Sequence, residues 1–157
     1  MLSGSTTRLR LSSLRLADAL NDQCLDYMEE EGAVLGNTDA IATIAVRKIE
    51  AAKKFYEGTL GLKPMPTQET GVQTYKSGKA TVLVYESQFA GTNKATAATW
   101  GVEDLEGVVR DLKAKGIRFE HYDMPGAARK GDIHGTGKTK AAWFKDPDGN
   151  ILAVVSE

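Results

Sequence analysis

Residues 41–61 read IATIAVRKIEAAKKFYEGTLG, and residues 97–116 read AATWGVEDLEGVVRDLKAKG. Each stretch begins with a short apolar run, continues with a charged amphipathic segment and ends at a glycine, Gly61 or Gly116. The apolar run predicts a strand and the charged segment a helix with one apolar face, and glycine commonly ends a helix. Because the unit occurs twice, we predict two similar modules with a ligand cleft between them.

Three strands are predicted after each helix. The predicted bounds are 62–67, 72–76 and 80–86 in the first copy, and 117–122, 139–145 and 151–155 in the second. Ser77–Lys79 is assigned as the turn of the first hairpin, and 146–150, DPDGN, as the turn of the last one. We therefore predict an α+β fold of two βαβββ modules, about 38–87 and 95–157, forming a curled mixed sheet around a cleft.

Composition excludes several classes of partner and site. The chain has 157 residues, a length typical of about one domain. A net charge of −1 and the lack of a basic stripe with interleaved aromatics argue against nucleic acid. No apolar run approaches the roughly 18 residues of a membrane span. Cys24 is the only cysteine, which excludes an internal disulfide and suits a reducing compartment, so we expect a cytoplasmic protein.

The first 36 residues differ from the rest. Basic residues without acids precede Asp18, and acids without bases fill 18–31. The start is weakly similar to an organelle transit peptide. We favour instead a mostly helical extension over 1–36, because Leu16, Leu20 and Cys24 form a stripe at helical spacing. That stripe needs a surface to cover, either on the domain at 37–157 or on a second subunit, which leaves a homodimer open.

Two further motifs carry a family resemblance. Residues 55–62, FYEGTLGL, and 144–151, FKDPDGNI, resemble the helix end and the C-terminal turn of the vicinal oxygen chelate superfamily. That superfamily groups glyoxalase I, bleomycin-resistance proteins and extradiol dioxygenases, and the resemblance covers about 38–157. It implies paired βαβββ modules whose sheets curl around a shared cleft. In the metalloenzymes of the family, the cleft holds a divalent metal bound by one inward side chain on each of four strands.

This chain departs from the family at the four metal-ligand positions. The corresponding residues are Ile41, Leu83, Ala97 and Ala153. A divalent ion needs imidazole nitrogen or carboxylate oxygen, which none of these side chains offers. We therefore expect no metal site of the usual kind and no cofactor, and the resemblance supports the fold more than the chemistry.

Alternation along the strands predicts which side chains face the cleft. If Ile41, Ala97 and Ala153 do so, then Thr43, Thr99 and Val155 share their face, as do Leu83 and Tyr85 on a neighbouring strand, whereas Trp100, Val82 and Val84 pack under the helices. Tyr75, Tyr122 and Trp143 are added as candidate cleft aromatics, with ordinary core packing as the alternative. Aromatic side chains suit a planar or amphipathic ligand. The predicted ligand-binding set is Ile41, Thr43, Tyr75, Leu83, Tyr85, Ala97, Thr99, Tyr122, Trp143 and Ala153.

A Gly-rich stretch lies between the last predicted strands, at 123–138, with short strand content. Its end, GDIHGTGKT at 131–139, is similar to a phosphate loop, but Asp132 replaces the first glycine and a strand follows. We expect a flexible flap over the cleft instead. His134 within it is interpreted as a histidine without a role. His121 is evenly balanced between a role and none, and Glu86 is a weak candidate for a carboxylate at the cleft rim.

Three functions remain open from the sequence. The first is a metal-independent protein of the glyoxalase and bleomycin-resistance type that binds an antibiotic or metabolite in an aromatic-lined cleft. The second is a lyase, isomerase or dioxygenase-like enzyme that uses a displaced metal site or acid–base side chains such as Glu86, His121 and Tyr85. The third is a partner-binding module that acts through the N-terminal helix.

Overall fold

The computed structural model describes residues 34–156. The chain divides into two compact units, Met1–Ala40 and Ile41–Glu157. In the first unit, residues 34–40 form a turn in which the Thr38 amide donates to the Leu35 carbonyl at 3.1 Å. The predicted N-terminal helix lies outside the described residues. No helix within 34–156 has the length and apolarity needed to cross a membrane.

The first copy of the repeat forms a four-stranded sheet with one helix. The sheet has the order β1-β4-β3-β2, in which β1 is parallel to β4 and the other pairs are antiparallel. Its helix begins as an α-helix and changes to the wider π-helical turn before Gly61, whose φ of 73° ends it. The elements are β1 (Ala42–Val46), α1 (Ile49–Lys53) with its π-helical continuation (Lys54–Thr59), β2 (Lys63–Met65), β3 (Val72–Ser77) and β4 (Ala80–Glu86).

The second copy repeats this arrangement with one inserted hairpin. Its sheet has the order β5-β10-β9-β8-β7, and β6 pairs with β9. The helix begins at an Asp104 cap, whose carboxylate accepts from the Gly107 amide at 2.8 Å. The elements are β5 (Thr96–Gly101), α2 (Leu105–Ala114), β6 (Phe119–Glu120), β7 (Ala128–Lys130), β8 (Ile133–Thr136), β9 (Thr139–Lys145) and β10 (Ile151–Ser156). The prediction of an α+β fold with two βαβββ modules is confirmed.

The Gly-rich stretch is more regular than predicted. The expected flap at 131–139 is instead the strand β8 with a tight turn on either side. Gly131 and Gly137 both have a φ of 63°, a backbone conformation that side chains disfavour, and each supplies one of these turns. Strand β9 follows, so the phosphate-loop interpretation fails for the reason given by the sequence: no helix follows the Gly-Lys-Thr.

The core lies on the helix-facing sides of both sheets. Alternate residues of β1 and β4 are buried there, as are alternate residues of β9 and β10, in one continuous cluster. Burying each large aliphatic side chain contributes about 1.5–3 kcal/mol. The residues that these four strands contribute to the cluster are Ile44, Val46, Val82, Val84, Ala142, Phe144, Leu152 and Val154.

The two motifs that carry the family resemblance meet at Asp146. Its Oδ2 accepts from the Tyr56 hydroxyl and from Asn150 Nδ2, both at 2.7 Å, and its Oδ1 accepts from the Asp148 and Asn150 amides at 3.0 and 2.8 Å. Asn150 Nδ2 also donates to the Ala45 carbonyl at 2.8 Å. Burial, with the adjacent Asp146 charge, raises the pKa of Tyr56 far above its usual range, so the phenol stays a donor. The turn of the second module therefore holds the strand and helix of the first.

Candidate ligand-binding site

The sheet faces opposite the helices carry most of the predicted cleft residues. Thr43 and Leu83 are register partners on the first sheet, and Ala153 lies between Thr99 and Trp143 on the second. Strands β1 and β5, at the edges of the two sheets, contact each other. Ile41 and Tyr85 are 50% and 36% exposed, whereas Ala153 is buried and Ala97 of β5 packs against the core cluster. The side-chain orientation predicted by alternation agrees with the strand register for Thr43, Leu83, Thr99 and Ala153. It fails for Ala97, because the register of β5 shifts between Thr96 and Ala98 and Ala97 packs against the core.

Tyr75 is a correction to the predicted set. It is fully buried on the helix side, where it stacks on Tyr56 with ring centroids 5.9 Å apart and donates to Glu57 at 3.2 Å. Burial, with the nearby Glu57 carboxylate, raises its pKa. Ser77 pairs with Ala80, so the turn has two residues and not three, and Tyr75 lies opposite Val82. A shift of one residue in register reverses the face of every side chain on the strand.

Four rings form a cluster on the face of the second sheet that points away from the helices. Tyr122 and Trp143 meet edge to face, with centroids 5.8 Å apart and planes at 85°. His134 contacts the same indole at 5.4 Å and 78°, and His121 lies 5.7 Å from His134. We name Tyr122, His134, Trp143 and His121 the aromatic cluster. Strands β8 and β9 and the segment after β6 bring these residues together, although they are up to 22 positions apart along the chain, 143 minus 121.

A cavity of about 480 Å³ adjoins the aromatic cluster. Its lining includes His121, Tyr122, Asp123, Arg129 and His134. Pockets for small ligands commonly measure about 300–1,000 Å³. The Tyr122 hydroxyl and His134 Nε2 are buried and have no hydrogen-bond partner among residues 34–156. An unpaired buried polar atom costs about 1–3 kcal/mol, so a hydrogen-bond partner for either atom would stabilise the protein.

Charged side chains lie beside the aromatic cluster, and one of them contacts its member His121. Asp132 lies 2.6 Å from Lys113 Nζ and 3.4 Å from His121 Nε2. Glu120 pairs with Lys145 at 2.8 Å, and this contact raises the pKa of the lysine. Burial, followed by the neighbouring His121 and Arg129, lowers the pKa of His134 below its ordinary value near 6.5. The His134 imidazole is therefore mainly neutral at about pH 7, a form in which one ring nitrogen donates and the other accepts a hydrogen bond.

This lowered pKa gives a direct prediction. The chain has two histidines, His121 and His134, so two imidazole signals are expected in an NMR titration. The His134 signal should titrate below about 6.5, because its neutral form is favoured in the folded state. The stability that this shift contributes is fully present at a pH above the pKa of His134 in the unfolded state. It is lost as the pH falls through the pKa of His134 in the folded state. The variant His134→Gln should lose this pH dependence, and a His134 midpoint above 6.5 would contradict the assignment.

The side chains at the four metal-ligand positions cannot form the metal site of the family. Ile41, Leu83, Ala97 and Ala153 offer no ligand atom, and residues 34–156 contain no group of three or more His, Cys, Asp or Glu arranged to hold a metal ion. Glu86, the weak catalytic candidate, has another contact: its Oε1 accepts from the Ile49 amide at 2.9 Å at the start of α1. Its position therefore stabilises the helix terminus.

His134 lies on a paired strand and not in the predicted flap. It lies at 5% exposure on β8, directly opposite Ala141, which shares its sheet face with Trp143. The available signal was the Gly137-Lys138 pair between Thr136 and Thr139, which is typical of a two-residue hairpin turn. A two-residue turn at this position places His134 on a paired strand and not in a flap.

Comparison with known proteins gives one family and many structural neighbours. The family model described as the Glyoxalase/Bleomycin resistance protein/Dioxygenase superfamily matches residues 39–154. No curated protein matches the sequence. Within the matched range lie the repeat, the Asp146 turn and every residue of the aromatic cluster.

Three solved structures illustrate the likeness in fold. A lactoylglutathione lyase from Agrobacterium tumefaciens aligns over 76% of this chain and 93% of its own, with a TM-score of 0.56 and 16% identity. The fosfomycin resistance protein FosX from Listeria monocytogenes aligns over 77% and 93%, with a TM-score of 0.59 and 9% identity. TnmS3, an antibiotic binding protein from Streptomyces sp. CB03234, aligns over 76% and 97%, with a TM-score of 0.53 and 16% identity.

Proposed function

The chain belongs to the glyoxalase/bleomycin resistance protein/dioxygenase superfamily, and from that premise we propose that it binds a small organic molecule without a metal ion. The observation that carries this proposal is the aromatic cluster with two buried polar atoms, the Tyr122 hydroxyl and His134 Nε2, that have no hydrogen-bond partner within residues 34–156. Tyr122 and His134 line the cavity, and both rings contact the indole of Trp143. An aromatic wall with two polar groups suits a ligand with a planar apolar part and polar substituents.

The ligand class we propose is an antibiotic or an aromatic metabolite. The Streptomyces neighbour is called an antibiotic binding protein and the Listeria neighbour a fosfomycin resistance protein, and both share the fold at low identity. The apolar residues at Ile41, Leu83 and Ala97 favour contact with an organic surface over coordination of an ion. Thr43, Thr99 and Tyr85 add polar groups on the same face.

Calorimetric titration of the full chain tests the proposal. The panel should hold planar polycyclic antibiotics and aromatic metabolites, with fosfomycin as a small non-aromatic comparison. We expect saturable binding of at least one planar compound, weakened about fivefold to tenfold by Tyr122→Phe because one buried hydrogen bond is lost. The absence of binding by every compound of cleft size would count decisively against the proposal.

We also infer that a second copy of the chain covers the open part of this face. On the sheet face that points away from the helices, Ile41 is 50% exposed and Tyr85 is 36% exposed. Exposed apolar surface of this kind favours association between proteins. Sedimentation should therefore show a dimer for the unaltered chain. Ile41→Asp should shift it towards monomer, since a charge would lose water on association. Thr67→Asp, an exposed change outside the sheet strands, is the control.

A second candidate function is acid–base catalysis by His134. Its imidazole is buried and mainly neutral at about pH 7, and Nε2 has no hydrogen-bond partner in the part of the chain that the structure describes; these are properties of a general base. His121, the sequence-based candidate, is 40% exposed and lies against Asp132, which favours a supporting position. Single-turnover assays on any ligand that binds would separate the two functions. An enzyme should lose turnover in His134→Gln while retaining much of its affinity, and a binder should show no chemical change of the ligand.

A further inference from the structure

The wall of the cavity beside the aromatic cluster includes an arginine, Arg129 on β7. Arg129 lies directly opposite His134 in the antiparallel pair of β7 and β8, so both side chains project from the same sheet face, with Cβ atoms about 4.5–5.5 Å apart. The pairing of His134 with Ala141 places that face on the Trp143 side of the sheet. The next residue, Lys130, points to the opposite face. Strand register and cavity lining therefore both place the Arg129 side chain at the aromatic cluster.

The Arg129 guanidinium forms no ion pair within residues 34–156. The Asp132 carboxylate is already held by Lys113 Nζ at 2.6 Å and lies 3.4 Å from His121 Nε2. Asp123 also lines the cavity, and over the described part of the chain it lies more than 4 Å from every cationic group. Arginine stays charged at any ordinary pH and carries five N–H donors, so Arg129 can bind an anion from outside the protein.

The charges that act on His134 are positive in sum. After burial, the charges of His121 and Arg129 lower the pKa of His134 most, whereas Asp123 raises it and has the smallest influence of the four. Positive charge near an imidazole disfavours its protonated form and would favour a negative charge placed at the same point. The cavity beside His134 therefore suits an anionic group better than a cationic one.

We propose that the ligand of this cavity is an aromatic carboxylate, whose charged end binds the Arg129 guanidinium and whose ring packs on the aromatic cluster. A guanidinium can hold a carboxylate by two parallel hydrogen bonds. The rings of Tyr122 and His134, which line the same cavity, suit the planar part. This inference rests on the proposed function, and it narrows the ligand class from planar organic compounds to planar anions.

Matched pairs of acid and amide test the charge recognition. Calorimetric titration of the full chain at low salt should compare 2-naphthoate with 2-naphthamide, and indole-3-acetate with indole-3-acetamide. Each acid should bind about tenfold more tightly than its amide, the effect of a charge-assisted hydrogen bond. Added salt should weaken the binding of the acids and leave that of the amides unchanged, because salt screens the attraction between exposed charges.

Variants of β7 assign the preference to one residue. Arg129→Gln should weaken binding of the acids about tenfold and leave the amides unchanged, so that the two members of each pair bind equally. Arg129→Lys should retain part of the preference, because it keeps the charge and loses the paired hydrogen bonds. Lys130→Gln removes the same charge from the adjacent position on the other sheet face, and should keep the full preference. A merely structural role of Arg129 would weaken acid and amide alike.

The outcomes separate this inference from the proposed function. Equal binding of acid and amide would overturn the inference and leave the proposed function standing. A preference for the acid that survives Arg129→Gln, or that Lys130→Gln removes equally, would also overturn the inference. If no acid binds although planar compounds of the first panel do, the inference alone is wrong. If no compound of either panel binds, the proposed function is wrong as well.

Discussion

Replacing Asp146 with alanine should lower the free energy of unfolding by about 3–5 kcal/mol, the range for removing one partner of a buried polar network. The carboxylate accepts from Tyr56, from Asn150 Nδ2 and from two backbone amides, and it is 5% exposed. Without it, the Tyr56 hydroxyl and Asn150 lose a buried partner, and the contact between modules weakens. Urea unfolding followed by circular dichroism measures the loss.

Two further variants serve as controls for the Asp146→Ala result. Asp123→Ala removes an exposed aspartate of the same sheet module and should change stability by less than about 0.5 kcal/mol. Asp146→Asn keeps the shape and removes the charge, and should fall between the two. A loss below about 1 kcal/mol in Asp146→Ala would show that the turn does not hold the modules together.

Replacing Trp143 with alanine should weaken binding of a cleft ligand at least about tenfold, as expected for a central aromatic contact of a site. The indole is the surface on which Tyr122 and His134 both rest, so its removal takes away contact area and also the positions of two polar groups. Trp143→Phe should retain most of the affinity. Titration calorimetry with the tightest compound of the panel measures both.

The matched control is Phe89→Ala. Phe89 is a 67% exposed aromatic in the loop after β4, away from the aromatic cluster, and its loss should leave the dissociation constant unchanged. Equal weakening by Phe89→Ala and Trp143→Ala would indicate a general effect on the fold. Unchanged affinity in Trp143→Ala would remove the aromatic cluster from the binding site.

Strand alternation predicted side-chain orientation well wherever one sheet face is buried. Ile44, Val46, Val82 and Val84 are apolar and buried, so the opposite parity of Thr43, Leu83 and Tyr85 followed from the sequence. The repeat predicted both modules for the same reason, since each amphipathic helix needs a sheet to cover. Gly61 and Gly116 end their helices at φ of 73° and 89°, the conformation for which glycine is selected.

Tyr75 and His134 were misplaced by local turn geometry. One residue too many in the β3–β4 turn moved Tyr75 to the wrong face, and the hydrophobic pattern could not correct this because tyrosine suits either side. The glycines around His134 are typical of a loop and predict one there, but in the structure they form the turns of a hairpin. Both errors concern two-residue turns, whose register decides the face of a whole strand.

The family resemblance predicted the fold and not the chemistry, for a physical reason. Tyr56, Asp146 and Asn150 belong to the motifs that identify the family, and they form the hydrogen bonds that join the modules. Such contacts persist whatever the cleft binds. The four metal-ligand positions carry apolar side chains, and the polar atoms of the aromatic cluster come from β8 and the segment after β6, which neither motif includes.

One paired measurement tests the central claim most directly: metal analysis of the full chain purified without chelator, and titration of its tightest cleft ligand before and after treatment with EDTA. We predict less than about 0.1 equivalent of bound transition metal and the same dissociation constant in both titrations, because no donor set for the metal lies at Ile41, Leu83, Ala97 and Ala153. Stoichiometric zinc, nickel, manganese or iron, together with binding that EDTA abolishes, would contradict this account.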